Sequence, residues 1–308
     1  MPRKRNDMVV LITGATGLIG TKICAELVKG GVEVRYFSRN PSSSVIPGAK
    51  GFQWNPNQFS FDKKAMDGVT HVINLAGATI AKRWSASYKK QILLSRLNSL
   101  KTLEMAIEES KSSSIRVLSA SAIGVYKSDL NFSHDEHSTS YGDGFLTEVV
   151  QQWEAQAQRI SDKGHALSLV RIGIVLDSDQ GALPKLALPV RLGLGASLGS
   201  GRQWQSWIHS EDLSRLFVYL LKNNLGPVVN AVAPHPVLQK ELLREVANVL
   251  KRPFFLPPIP DAVLKLFLGE MAAVVLESQK VRSELLATSD FEFRFKQVRG
   301  ALTQLLKR

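Results

Sequence analysis

Cysteine is almost absent from this sequence: Cys24 is the single thiol in 308 residues. One thiol cannot close an intramolecular disulfide, so no disulfide framework holds the fold and a reducing compartment is expected. Its position inside a helical pattern suits a packed core thiol. Long apolar runs are missing too, since none reaches the roughly 20 residues that cross a bilayer. The basic start, MPRKRND, leads into a strand and a glycine loop rather than a signal peptide's apolar core and cleavage site. It reads as a basic extension of a cytoplasmic protein with no membrane partner.

A basic patch interleaved with aromatics is also lacking. The net charge is +12, but the Lys and Arg residues are scattered along the chain and form no recognition helix. A nucleic-acid partner is therefore not expected, and the surplus charge suits solubility or a phosphate-bearing cofactor. What remains is ordinary globular composition, 44% hydrophobic and 21% charged. A chain of this length buries roughly three quarters of its unfolded surface, enough for one large α/β unit or two small domains.

The segment MVVLITGATGLIGTKICAELVKGG says most. An apolar run, Met8 to Ile12, ends in Thr13 and a glycine series, after which Ile19, Ile23 and Leu27 recur at helical spacing until Gly30 and Gly31. That pattern is strand, turn, helix. Gly14, Gly17 and Gly20 are spaced G-x-x-G-x-x-G, a variant of the dinucleotide fingerprint. The first permits a tight turn, the second lets backbone approach a pyrophosphate, and the third lets helix pack on strand. Thr16, Leu18 and Ile19 share the loop, and the helix N-terminus offers unpaired N–H groups and a positive dipole end. The next strand, VEVRYFSRN, ends in Ser38 and Arg39. An acidic residue there would hold the ribose hydroxyl of NAD, whereas a cation suits the extra phosphate of NADP. Arg39 with Ser38 points to NADP(H).

These elements, followed by HVINLAG and VLSASAIGVY, resemble an extended short-chain dehydrogenase/reductase. The resemblance places Asn74, Leu75, Ala76 and Gly77, on the third strand, beside the cofactor's adenosine ribose and pyrophosphate. It makes Ser121 the active-site serine, with Ser119 just upstream, and brings Val175 of LVRIGIVLD near the nicotinamide. RWSASYKKQILLSR, GALPKLALPVRLGLGASLGSGRQWQSWIH and LGEMAAVVLESQKV narrow it further. They resemble the NAD(P)-dependent epimerase-family proteins that carry an added C-terminal domain, a cell-division-inhibitor-like subgroup. Gln91 and Arg96 would there add cofactor contacts.

The resemblance also shows what is missing. Standard members pair the serine with a tyrosine and, four residues later, a lysine, which together relay a proton. Aligning Glu154 of GDGFLTEVVQQWEAQ puts Leu146 and Val150 at those positions; sliding by one gives Phe145 and Val149. None of the five tyrosines has a lysine four residues on. Phe145, Val149, Trp153, Ala157 and Ile160 instead form an apolar stripe that should pack on the sheet. Tyr141, Asp143, Tyr126 and Glu154 are available as substitutes, Tyr126 first because it follows the serine loop. Where nucleotide-sugar members carry the arginine and aspartate of R-D-(F/Y)-I-H, this chain has Gln205 and Ser206; Arg202 and Trp204 are the candidate substrate contacts instead. No metal is expected, although SHDEHS brings His134 and His137 together, and His209 reads as a structural, hydrogen-bonded histidine.

The expected fold is α/β: a Rossmann-type, doubly wound parallel sheet over residues 1–175, then a smaller substrate lobe over 176–308 with a helical domain from about 254, the two lobes interleaved. The expected function is an NADP(H)-dependent enzyme of the reductase or epimerase type acting on an unidentified small molecule. The alternative is an NADP(H)-binding regulatory protein without turnover that works through a protein partner.

Overall fold

The computed structural model describes residues 8–41, 46–110, 112 and 114–307; the basic extension, residues 1–7, lies outside them. In chain order the strands begin with β1 (Val9–Thr13), β2 (Glu33–Ser38), β3 (Ala49–Asn55), β4 (Ser60–Phe61), β5 (His71–Asn74) and β6 (Arg116–Ala122). After the two-residue β7 (Ser133–His134) comes β8 (Ala166–Ile172), then the short β9 (Ile174–Leu176), β10 (Trp204–Gln205) and β11 (Trp207–His209), and β12 (Val228–Ala231). The central sheet has the order β12-β8-β6-β5-β1-β2-β3-β4. Its strands are parallel except for the β3–β4 edge pair. Such a sheet is buried on both faces, which is why Val10, Leu11 and Ile12 run consecutively apolar and are fully buried.

HVIN was expected as the third strand and is the fifth. Ala49–Asn55 precedes it because Phe52 and Trp54 alternate with polar residues and bury one face, where Trp54 stacks on Phe37. The chain winds outward from β1 through β2 and β3, then returns on β1's other side through β5, β6, β8 and β12. The strand order reverses between β1 and β5. In open α/β sheets ligands bind outside the carboxyl ends of the strands at such a point.

The helices are α1 (Leu18–Lys29), α2 (Ala86–Glu109), α3 (Phe145–Asp162), α4 (Leu183–Arg191), α5 (Ser210–Lys222), α6 (Gln239–Leu250), α7 (Asp261–Leu268), α8 (Ala273–Leu276), α9 (Glu284–Ala287) and α10 (Val298–Leu306). α1 packs beside α5 and α2 beside α3, the two layers that right-handed crossovers place on opposite faces of the sheet. β12, from beyond residue 175, joins the same central sheet, and α5, also from beyond it, packs on α1. A second core, with Val190, Leu242, Val246, Ala301 and Leu302, joins α4, α6 and α10. Burial pushes the Cys24 thiol of α1 up to about 12, as befits a packed thiol. Among the described residues no helix is long and apolar enough to cross a membrane.

Candidate functional site

The turn after β1 is built by glycines for reasons visible at each position. Gly14 has φ +69°, and a Cβ on it would lie 2.8 Å from the Leu75 carbonyl carbon. Only glycine lets the ends of β1 and β5 approach so closely. A Cβ on Gly20 would lie 2.3 Å from the Gly14 carbonyl oxygen, so α1 packs directly on the loop through this residue. Gly17 differs, because its Cβ would meet only that same oxygen, at 3.2 Å, and otherwise faces open space. Thr16 and Gly17 are exposed, while Leu18 and Ile19 are half-buried. Among the described residues no side chain caps α1, which leaves the helix start, with its positive dipole end, a ready anion site.

Behind this loop a buried polar chain ties three strand ends together. Thr13 Oγ1 donates to Asn74 Oδ1 at 2.7 Å and accepts from the amides of Leu75 and Ala76 at 3.2 Å; Asn74 Nδ2 donates to Ser119 Oγ at 3.1 Å. The side chains of Asn74 and Ser119 are fully buried and brace the cleft from below. Leu75, Ala76 and Gly77 leave the strand and present backbone beside the glycine turn.

Two cations flank the loop. Arg39 is exposed immediately after β2, where its carbonyl accepts from Gln53 Nε2 and the neighbouring Ser38 hydroxyl accepts from the Asn40 amide. Arg96 of α2 lies beneath Gly77, its Cζ 3.3 Å from where a Cβ would stand, and over the Trp153 ring at 4.9 Å. Its Nη1 donates to the carbonyls of Ala78 and Ile92 at 3.1 and 2.9 Å, and no carboxylate pairs with it among the described residues. Burial lowers its pKa to about 10, which still leaves it charged at neutral pH. Gln91 is exposed one turn earlier, and Val175 sits half-buried in β9, paired with Ile208 of β11.

The cluster at the carboxyl end of β6 has a different construction. Ser121 faces Arg171 across the β6–β8 register, and both meet Glu154 of α3. Ser121 Oγ donates to Glu154 Oε1 at 2.5 Å, while Arg171 grips both carboxylate oxygens, through Nε at 2.8 Å and Nη2 at 2.7 Å. Burial works against the Arg171 charge, but Glu154 outweighs it and the arginine's pKa is raised. Arg171 Nη1 donates to the Tyr126 hydroxyl at 3.0 Å; that hydroxyl in turn faces Asn230 Oδ1 at 2.9 Å and the Asp135 carbonyl at 3.0 Å. Tyr126 is therefore a buried link, 1% exposed, stacked on His134. Its burial raises its pKa and keeps it protonated, against the pull of Arg171. Val150 is buried and Leu146 packs beside Ile80, Trp84 and Phe145.

Arg171 is the residue that sequence reasoning passed over. A lone arginine inside the apolar run LSLVRIGIV was its signal, because a buried charge in a central strand needs a partner. Elsewhere, Arg202 is exposed. Trp204 donates its indole N–H to the Leu130 carbonyl at 3.0 Å and lies under Lys280, so it stands among C-terminal contacts. Ser206 receives the Val281 amide at 2.8 Å and fastens that segment. His209 is buried, accepts from the Glu211 amide to cap α5, contacts Gln304 and stacks on Phe295, a structural role. His134 faces the Lys127 carbonyl at 2.9 Å.

Comparison with known proteins agrees with this architecture. Residues 10–146 match the NAD dependent epimerase/dehydratase family and residues 259–305 a domain of unknown function, DUF1731. An epimerase family protein of Staphylococcus epidermidis is 36% identical over 299 residues, 96% of this chain and 98% of the relative. The chloroplastic epimerase family protein SDR39U1 homolog of Arabidopsis thaliana is 36% identical over 319 residues, 99% of this chain and 88% of that one. The crystal structure of human epimerase family protein SDR39U1 with NADPH superimposes with a TM-score of 0.83 at 30% identity, covering 97% of this chain and 99% of that one. The chain belongs to the NAD-dependent epimerase/dehydratase family.

Proposed function

We propose that this chain binds NADP(H) across the carboxyl ends of β1 and β5 and carries out an oxidoreductase step in which Ser121 and Glu154 handle the proton. The residues present fit that cofactor. The uncapped start of α1 and the open face of Gly17 suit the pyrophosphate. Arg39 suits the 2′-phosphate, and the partly unpaired guanidinium of Arg96 adds positive potential under Gly77. The human relative that matches nearly the whole chain was crystallised with NADPH.

When bound, the nicotinamide supplies hydride exchange. The observation that carries the rest is the 2.5 Å bond from Ser121 to a carboxylate that Arg171 grips through both oxygens. With its own proton committed to Glu154, Ser121 turns its lone pairs outward and accepts a hydrogen bond, which suits an alcohol substrate better than a ketone. As the alcohol is oxidised, its proton passes to Ser121 Oγ and the serine's proton passes to Glu154. This is the logic of a nucleophile, a base and an orienting group transferred to proton relay.

A second reading is supported by the apolar residues at 146 and 150 and by the engaged hydroxyl of Tyr126: NADP(H) binds without turnover, and occupancy biases a contact with a protein partner. A crystal structure with NADPH separates the two. Ser121 Oγ within about 5 Å of the nicotinamide C4, room for one substrate carbon, supports the enzyme; a nicotinamide surrounded only by apolar side chains supports the binding protein.

A further inference from the structure

The large apolar side chains that stand furthest into solvent gather in two adjoining segments. Leu188, Leu192 and Leu194, at the end of α4 and the turn after it, are 58%, 68% and 58% exposed; Phe255, Leu266 and Phe267, before and on α7, are 77%, 75% and 73% exposed. The segments run side by side. The Gly199 amide donates to the Ile259 carbonyl at 2.9 Å, the Ile259 amide to the Ser197 carbonyl at 2.8 Å, and a Cβ on Gly195 would touch the Pro253 carbonyl and the Phe254 ring. On α7, Leu264 faces inward, while Val263, Leu266 and Phe267, spaced i, i+3, i+4, form an unpartnered apolar face.

Charge selects the occupant. Lys185, Arg191, Lys251, Arg252 and Lys265 are exposed on these two segments, against Asp261 and Glu270. A second copy would bring the same cations face to face. The core of a protein–protein interface is depleted of charged residues, whereas here exposed cations alternate along the same segments with the protruding Leu and Phe side chains. Protruding Leu and Phe ringed by Lys and Arg is the arrangement of an element that dips into the headgroup region of an anionic membrane.

We propose that the α4 turn and the α7 face dock this protein peripherally on anionic lipid, with the apolar side chains inserted and the cations on the headgroups. The expectation of no membrane partner rested on the lack of a spanning segment, which leaves peripheral docking untouched. The proposal does not depend on the reading of the cofactor site.

The test is cosedimentation of the full chain with vesicles of phosphatidylcholine alone and of phosphatidylcholine mixed with phosphatidylglycerol. The expected result is binding to the anionic vesicles only, weakened at high salt, and reduced about tenfold in the double variant Leu192→Ser with Phe267→Ser. The thermal transition of that variant verifies folding. Absence of binding to either vesicle overturns the proposal. So does anionic binding that the double variant leaves unchanged, since charge anywhere on a +12 chain would then suffice. Light scattering that shows a dimer in the native chain and a monomer in the double variant also overturns it, assigning the face to a second copy.

Discussion

The two ends of the cleft are built on opposite principles. At the cofactor end, function rests on backbone: glycines remove side chains, Thr13 and Asn74 fix the strand ends, and α1 offers its uncapped start. At the proposed reaction end it rests on a part-buried ion pair, Glu154 with Arg171, from which Ser121 and Tyr126 hang. Backbone geometry is read from local spacing, whereas an ion pair between a helix and a strand exists only once the sheet is assembled. The same contrast sets how each end should fail.

The largest effect is expected at the reaction end. Replacing Arg171 by Ala leaves the part-buried Glu154 carboxylate without its partner, and a loss of about 3 kcal/mol in denaturant unfolding is expected. The double replacement Arg171→Met with Glu154→Leu should recover most of it. If the double variant is no more stable than Arg171→Ala, the pair is not the support described here.

Next is Gly20→Ala. The added methyl collides with the Gly14 carbonyl oxygen, so α1 must shift, at about 1 to 3 kcal/mol. NADPH affinity should fall with stability, because both depend on the turn; Gly17→Ala should reduce affinity while leaving the melting temperature of the free protein nearly unchanged. Equal effects at the two glycines would erase the distinction drawn between them.

Glu154→Gln sharpens the comparison from the other side. It removes the proposed proton acceptor and should slow NADP-dependent alcohol oxidation about 100-fold or more, while the stabilisation by NADPH stays as it is. A matching loss of NADPH stabilisation would mean the two ends are not separable.

The smallest effect concerns Asp177, which joins α5 to α1 by accepting from Ser210 at 2.7 Å and pairing with Lys22 at 3.3 Å. Burial raises its pKa, but Ser210, the Asp179 amide and Lys22 outweigh this, and the carboxyl ends below its usual range. A depressed carboxyl stabilises the fold above its unfolded pKa of about 4 and loses that contribution as the pH falls through the folded value. Asp177→Asn should therefore cost about 1 kcal/mol at pH 7, and the difference should shrink toward zero in acid unfolding curves.

These contrasts also mark what the sequence made legible. The glycine turn, Ser38 and Arg39 at the end of β2, the loss of tyrosine and lysine from α3 and the packing role of its apolar stripe were all readable, because each depends on spacing within one element. Val149, Trp153, Ala157 and Ile160 are buried as that stripe requires. Glu154 was recognised as an alignment marker and as one of four candidate acids or bases, with no spacing to single it out. Its bond to Ser121 spans 33 positions and its partner Arg171 lies on a neighbouring strand, so neither contact has a local signature. Tyr126 was ranked by nearness to the serine loop; its hydroxyl bonds to Arg171 and Asn230, contacts that likewise have no local signature. The exposed faces of α4 and α7 were illegible for the same reason, since an apolar stripe does not say whether anything covers it.

The central claim is that the cofactor end is complete and reads the 2′-phosphate through Arg39. Its most direct test is the melting temperature of the native chain and of Arg39→Asp, each titrated with NADPH and with NADH. A ligand that binds only the folded state raises that temperature. The account predicts a larger rise with NADPH than with NADH in the native chain, and loss of that preference in Arg39→Asp; no rise with either nucleotide in the native chain would contradict it.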